Sequence, residues 1–269
     1  MLKFYNCGQD FLQENKDILV AYPLETLFFE VNAKFLTETN KNDFLVKIAD
    51  GDKFLLAVHN QNYPMVIFGN MELCGEFAQF TFVQQLTFGK TLGSKDICEK
   101  FFAEYEKLAG GTHAVNHAMD IMRCDKILTQ DVDEVETPTE KDADGLAKLI
   151  VDFTAEALGD DVNFDEVKRD VLGRLPSFAV IKNDGKIVSL ASVKRETDKL
   201  ASLADVYTLP QYRCMGLSCK VVTYITQKIL DSGRLPYLFV DKTNPISNHL
   251  YTKIGYTYAT PQYEFLLIK

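Results

Sequence analysis

The stretch LADVYTLPQYRCMGLSCKVVTYITQKIL, residues 203–230, constrains the fold more than any other part of the chain. It opens with a β-rich run that Pro210 closes, because proline has no N–H to donate to a sheet ladder. Arg213 and Gly216 follow in a short loop. Val221, Val222, Ile225, Ile229 and Leu230 then recur at helical spacing. A strand feeding directly through a glycine-bearing loop into an amphipathic helix predicts a layered α/β architecture.

The flanking sequence extends this pattern. Upstream, SFAVIKNDGKIVSLASVKRE holds two β-rich runs around Asn183-Asp184-Gly185, a hairpin signal. Before it, the acidic segment TQDVDEVETPTEKDADGLAKL contains a break at Pro138, and Thr139 with Asp142 can cap a helix. Leu146, Leu149, Ile150, Phe153, Ala157 and Leu158 then fall at helical spacing. Downstream, Gly233 suits the end of the central helix, LPYLFVDK reads as a buried strand, and YEFLLIK as the last strand. Between them NPISNHLYTKIGY predicts a helix with Asn244 as N-cap, Pro245 at its first position and Gly255 past its end. The predicted order is a leading helix, then β-β-β-α-β-α-β, an α/β (α+β) fold with a sheet of mixed direction. The acidic segment places a boundary between domains 1–130 and 131–269.

The first half shows helical patterns near residues 11–36 and 97–108. Between them KFLLAVHNQNYPMVIFGNM and FAQFTFVQQLTF read as β-rich. The former echoes the hairpin of the second half, which predicts a repeat of fold.

Net charge is -9 and both halves are acidic, so nucleic acid is excluded as a partner. The six cysteines form no CxxC pair and no disulfide framework, as expected of a protein of the reducing cytoplasm. No apolar run reaches the roughly 18 residues of a membrane span, and the N-terminus predicts no signal peptide. His113 and His117 lie four apart without further ligand types, so no metal is expected.

A loop entering a helix presents unpaired N–H groups beside the positive end of the helix dipole. Gly216 lets an anion approach the backbone, and Arg213 adds charge. By these residues alone the loop reads either as a phosphate-binding loop or as an ordinary connection with a surface arginine. Tyr251 reads either as core or as a proton donor. Asn244 needs no role beyond capping.

VYTLPQYRCMGLS resembles the acyl-CoA motif [QR]-x-x-G-x-[GA] of the GNAT acyltransferase superfamily, through Arg213 and Gly216, with Ser218 in place of the usual glycine or alanine. NPISNHLYTKIGY is similar to a second signature of that family through Asn244, Ser247, Leu250, Tyr251, Lys253, Gly255 and Tyr256. The resemblance covers roughly residues 134–269. It implies a GNAT fold with a mixed, mostly antiparallel sheet and splayed central parallel strands in the second half. The first half would be a degenerate GNAT-like α/β domain that shapes the acceptor site.

The resemblance implies acetyl-CoA (or another acyl-CoA) as cosubstrate, without a metal. Its pantetheine arm would be held by the backbone of Val206 and Thr208, with Tyr207, Asn244 and Ser247 also among the cofactor-binding residues. Its pyrophosphate would lie on Arg213, Cys214, Met215, Gly216, Leu217 and Ser218. Tyr251 would protonate the leaving thiolate. Asp205 is the one carboxylate of its strand and a candidate base; a structural aspartate and an ordered water are the alternatives. The implied activity is N-acyl transfer to the primary amine of a small molecule. YTLPQYR is similar to the glycine N-acyltransferase-like branch, which favours an amino acid. A non-catalytic acyl-CoA sensor or partner-binding module is the rival, and self-association is left open. In the first half LTFGKTLGSKDICEK offers Gly89 and Gly93, but Leu86 and Lys90 stand where an arginine or glutamine is needed. One CoA per chain is therefore expected.

Overall fold

The computed structural model describes residues 1–61 and 63–268, apart from the side chains of Ala157 and Leu158, two positions of the predicted helical stripe that lie outside the description. The chain divides into two compact units. The first is Met1–Ile121 with Asp241–Thr243 and Ala259–Lys269; the second is Met122–Val240 with Asn244–Tyr258. The first cut falls ahead of residue 130, because Met122 and Cys124 are buried in the core of the second unit and Ile127 and Val135 pack against it. The tail returns to the first unit because its last strand zips onto that unit's sheet, Tyr263 opposite Gly93 and Phe265 opposite Thr91.

The first unit contains β1 (Leu2–Phe4), α1 (Gly8–Glu14), α2 (Lys16–Ala21), α3 (Leu27–Ala33), β2 (Phe44–Asp50), β3 (Lys53–His59), β4 (Met65–Gly69), α4 (Cys74–Val83), β5 (Lys90–Gly93), α5 (Lys95–Ala109) and most of β6 (Thr112–Arg123). β2, β3 and β4 form an antiparallel meander, and β5 joins β4 in parallel. Both faces of this sheet are covered. Phe44, Val46, Leu55 and Ile67 pack with Phe77, Phe101 and Phe102 of α4 and α5. Leu45, Leu56, Val58 and Val66 pack with Phe11 and Phe29 of α1 and α3. Burial on both faces explains why these strands read as continuous apolar runs rather than alternating ones.

The helical pattern near 11–36 is carried by three short helices, α1 to α3. One expectation for this unit needs correction. FAQFTFVQQLTF is not a strand: its first seven residues, Phe77–Val83, complete α4. Phe77, Ala78 and Thr81 are buried at helical spacing, and this tertiary burial overrides the strand preference of phenylalanine and threonine. HAVNH lies on a strand, β6, where His113 stacks flat on Phe102 at 5.0 Å and contacts Glu106 Oε1 at 2.7 Å.

The second unit contains α6 (Ala143–Leu158), α7 (Phe164–Gly173), β7 (Phe178–Asn183), β8 (Lys186–Glu196), β9 (Leu200–Thr208), α8 (Leu217–Asp231), β10 (Leu235–Asp241), α9 (Pro245–Ile254) and the start of β11 (Thr257–Ile268). The leading helix is α6, a second helix, α7, follows it, and the remaining order is as the sequence predicts. Thr139 N donates to Asp142 Oδ2 at 2.8 Å, completing the capping box. The hairpin turn has Asp184 and Gly185 both at positive φ, 49° and 74°, the backbone that matches strand twist. β7, β8 and β9 are antiparallel and β10 adds in parallel to β9. One sheet face packs on Val221, Val222, Ile225 and Ile229 of α8, the other on Leu146, Leu149 and Ile150 of α6.

From β2 onward the first unit repeats the order of the second from β7 onward: three antiparallel strands, a helix, a parallel strand, a helix, a strand. The counterpart of the β9–α8 loop is therefore the β4–α4 loop, not LTFGKTLGSKDICEK. The expected order is displaced by one strand, because β2 precedes the hairpin and α4 is a helix.

Candidate functional site

β9 and β10 pair only at their beginnings, Leu200 with Leu235, Ala201 with Pro236 and Ser202 with Tyr237. Among the described residues no pairing joins them beyond Ser202, so the two strands part. A bulge in β9 accompanies the parting. β8 runs from Leu190 to Ser192 while β9 runs from Tyr207 back to Ala204, one residue more. Asp205 takes the extra position with φ 51°. Leu209 N donates to Val188 O at 3.0 Å, so by antiparallel alternation Leu209 and Tyr207 face β8. Val206 and Thr208 then turn their backbone groups the other way, to the open edge. Tyr207, by contrast, uses its backbone on β8 and buries its ring against Phe153, 6.0 Å between centroids.

A short turn over Pro210–Tyr212 leads to the loop. Gly216 has φ 79°, and a Cβ added there would meet nothing within 4 Å. Cys214 is also left-handed, φ 63°. Among the described residues the backbone N–H groups of Cys214, Met215, Gly216 and Leu217 meet no acceptor. They lie at the N-terminus of α8, a fifteen-residue helix. Ser218 Oγ lies 2.8 Å from Thr208 Oγ1, which lies 2.8 Å from Ser189 Oγ. This hydroxyl chain ties the helix start to β9 and β8, and explains why a serine stands where the family motif has glycine or alanine.

Arg213 does not point freely at the loop. Its Nε donates to Thr208 O at 3.0 Å, and its Nη2 to both carboxylate oxygens of Glu156, at 2.7 and 2.8 Å. The Tyr207 hydroxyl donates to the same carboxylate at 3.1 Å. Arg213 and Tyr207 hold the Glu156 carboxyl below its usual range. No local pattern announces Glu156, which precedes Arg213 by 57 residues on another element.

On α9, Asn244 Oδ1 accepts from Ser247 N at 3.0 Å, which makes Asn244 the helix cap. Tyr251 is buried in the core cluster that includes Leu203 of β9 and Leu238 and Val240 of β10. Its ring meets Tyr256 edge-on at 5.9 Å. Burial alone pushes its phenol up to about 12, so it stays protonated at neutral pH. Among the described residues its hydroxyl has no hydrogen-bond partner.

Asp205 is buried and fully engaged. Oδ2 accepts from Ser192 Oγ at 2.6 Å and from Arg174 Nη2 at 3.2 Å, and Oδ1 faces Lys194 Nζ at 3.3 Å. Burial works to raise its pKa, but Lys194, Ser192 and Arg174 together outweigh it and the net shift is downward. Left-handed backbone costs a non-glycine residue about 1–2 kcal/mol. Hydrogen bonds to a charged partner contribute about 1.5–3 kcal/mol each, so the network holds the bulge. A carboxylate in this setting is a weak base, and of the readings open in the sequence its geometry is that of a structural aspartate.

Residues 184–265 match the family model described as FR47-like protein. No curated protein matches the chain. An acetyltransferase from the GNAT family of Colwellia psychrerythraea is similar over 100% of both chains, at 13% identity and TM-score 0.59. A GCN5-related N-acetyltransferase from Sphaerobacter thermophilus is similar over 98% of this chain and 94% of its own, at 13% identity and TM-score 0.64. A Drosophila protein gives 13% identity, 98% coverage of both chains and TM-score 0.67. The fold is the GNAT fold. The likeness to these structures is one of fold, and the family model matches only the segment from β7–β8 into β11. Among the described residues no helix is long and apolar enough to cross a membrane, and no three His, Cys, Asp or Glu side chains gather as for a metal ion.

Proposed function

We propose that the second unit binds acetyl-CoA, or another acyl-CoA, and transfers the acyl group directly to the primary amine of a small molecule, an amino acid being the favoured class. The observation that carries this reading is the parting of β9 and β10 into the open Gly216 loop. The residues fit the donor: four unpartnered N–H groups suit a pyrophosphate, and the open edge at Val206 suits the amides of a pantetheine arm. Thr208 O is already taken by Arg213, so Val206 carries most of that contact.

Acyl-CoA supplies a thioester carbonyl for amine attack and a thiolate leaving group. The Gly216 loop holds the anionic end. Tyr251, protonated and without an internal partner, donates its phenolic proton to the departing sulfur. Asp205 keeps the bulge in place and so keeps Val206 turned to the edge; an ordered water relays the proton lost by the amine. Asn244 and Ser247 shape the start of α9 beside the arm. In the first unit the corresponding β4–α4 junction is closed on Phe54 by Asn70, so the chain takes one acyl-CoA. We place this activity in the cytoplasm.

The engagement of both Asp205 oxygens favours one rival, an acyl-CoA-binding module without turnover. Release of CoA from acetyl-CoA, measured across a panel of amines and amino acids, separates the two. Amine-dependent release supports transfer. CoA binding with no release for any amine supports the module, and absence of CoA binding overturns both.

A further inference from the structure

Arg213 holds the charged position of the proposed pyrophosphate loop, yet two of its three guanidinium nitrogens are bound within the protein. Nε is fixed on Thr208 O, at the last residue of β9. Nη2 is fixed on Glu156, at the C-terminal end of α6. The guanidinium carbon lies 5.6 Å from the centroid of Tyr207, whose hydroxyl closes the ring of contacts on Glu156. Neither the bond to Thr208 nor the bonds to Glu156 use Nη1. An arginine side chain left to itself samples many rotamers, and ordering it on binding costs free energy. Here two bonds at fixed angles orient the planar fork before any ligand arrives.

We infer that Glu156 is a positioning residue for acyl-CoA binding: it holds Arg213 so that Nη1 faces the anion site. This rests on the acyl-CoA reading above. It also runs against simple charge counting. A carboxylate beside a polyanion site repels the ligand, so by charge alone its removal tightens binding. By positioning, its removal weakens binding. The sign of the effect therefore decides.

The test is titration of CoA into the full chain and its variants, with steady-state kinetics in acetyl-CoA where turnover is measurable. Glu156→Ala is expected to raise the CoA Kd about fivefold and the acetyl-CoA KM similarly, with kcat unchanged. Glu156→Gln keeps an acceptor oxygen for Nη2 and recovers part of the loss. In an Arg213→Ala background Glu156→Ala is expected to have no further effect, because the residue acts only through the arginine. Alanine suits a helix, and thermal melting confirms that each variant is folded. A wild-type chain that binds CoA beside an E156A variant that binds as well or better overturns the inference alone. So does an equal loss from E156A with and without Arg213. A wild-type chain that binds no CoA overturns the acyl-CoA reading, and this inference with it.

Discussion

The same strand-to-helix junction occurs twice in this chain, at β4–α4 and at β9–α8, and the two are built to opposite ends. At β4–α4 the loop is closed on its own sheet. Asn70 N donates to Phe54 O at 2.7 Å, and Phe54 N donates back to Asn70 Oδ1 at 2.9 Å. Gly69, φ 135°, lies so close to β3 that an added Cβ would sit 2.1 Å from Phe54 O. β4 pairs with β3 in even register from Val66 to Gly69. At β9–α8 the register is broken by Asp205, the loop donors have no acceptors among the described residues, and Gly216 faces open space. One glycine is required by its neighbours as well as by its backbone; the other is favoured by its left-handed backbone alone and leaves room for something that is not part of the protein. A fold can keep its element order while the junction that would bind a ligand closes over.

That contrast breaks most directly at position 216. Gly216→Glu is expected to abolish CoA binding, a rise in Kd of at least about 100-fold, because a carboxylate fills the anion site and repels its occupant. The wild-type chain should titrate with one CoA. A folded variant of unchanged affinity, or a stoichiometry of two, would mean that the junctions do not differ in the way described. Next in size is Tyr251→Phe, expected to lower kcat roughly 10²–10⁴-fold with little change in CoA affinity, as for loss of a general acid. Wild-type turnover in that variant, with chemistry limiting the rate, would return Tyr251 to the core.

The closed junction is sharpened by a stability measurement. Gly69→Ala forces a side chain into backbone at a left-handed φ, and a loss of about 3 kcal/mol or more is expected, read as a fall in Tm of roughly 6–12 °C. Gly216→Ala has room, so its cost is confined to the left-handed backbone, about 1 kcal/mol. Equal losses at the two positions would erase the difference between them.

What the sequence made legible follows the same divide. The β9–α8 junction could be read because proline, glycine and an amphipathic helix are local signals that the open loop needs in their own right. Asn244, Pro245 and Gly255 marked α9 for the same reason, and the structure has them as cap, first residue and C-cap. The first unit was misread in register because Phe77–Val83 carries strand-preferring residues on a helix whose face is decided by packing with α5. Glu156 was out of reach: an exposed glutamate near the end of a helix has no local mark of its partner. The bulge was equally hidden. Asp205 was noticed as a carboxylate in a strand, but its left-handed backbone depends on Ser192, Arg174 and Lys194, which only the fold brings together.

The smallest expected effect tests whether that bulge is held by charge, as the unbroken register of β4 has no need to be. The Asp205 carboxyl titrates below its ordinary value in the folded protein, where Lys194 and Arg174 favour the charged form. A carboxylate whose folded pKa is depressed adds stability that is fully present above the unfolded value, about 3.9, and lost as pH falls through the folded one. Wild-type stability should therefore include a component that disappears below about pH 4. Asp205→Asn tolerates the left-handed backbone but has no charge to lose. It should be less stable at neutral pH by about 1–3 kcal/mol, since Arg174 and Lys194 lose their shared partner. The gap between variant and wild type should narrow as pH falls from about 4 towards 2. Urea melts of both proteins across that range measure it. A gap that stays constant with pH would mean that the carboxylate is not what holds β9 out of register, and that the open edge at Val206 has another cause.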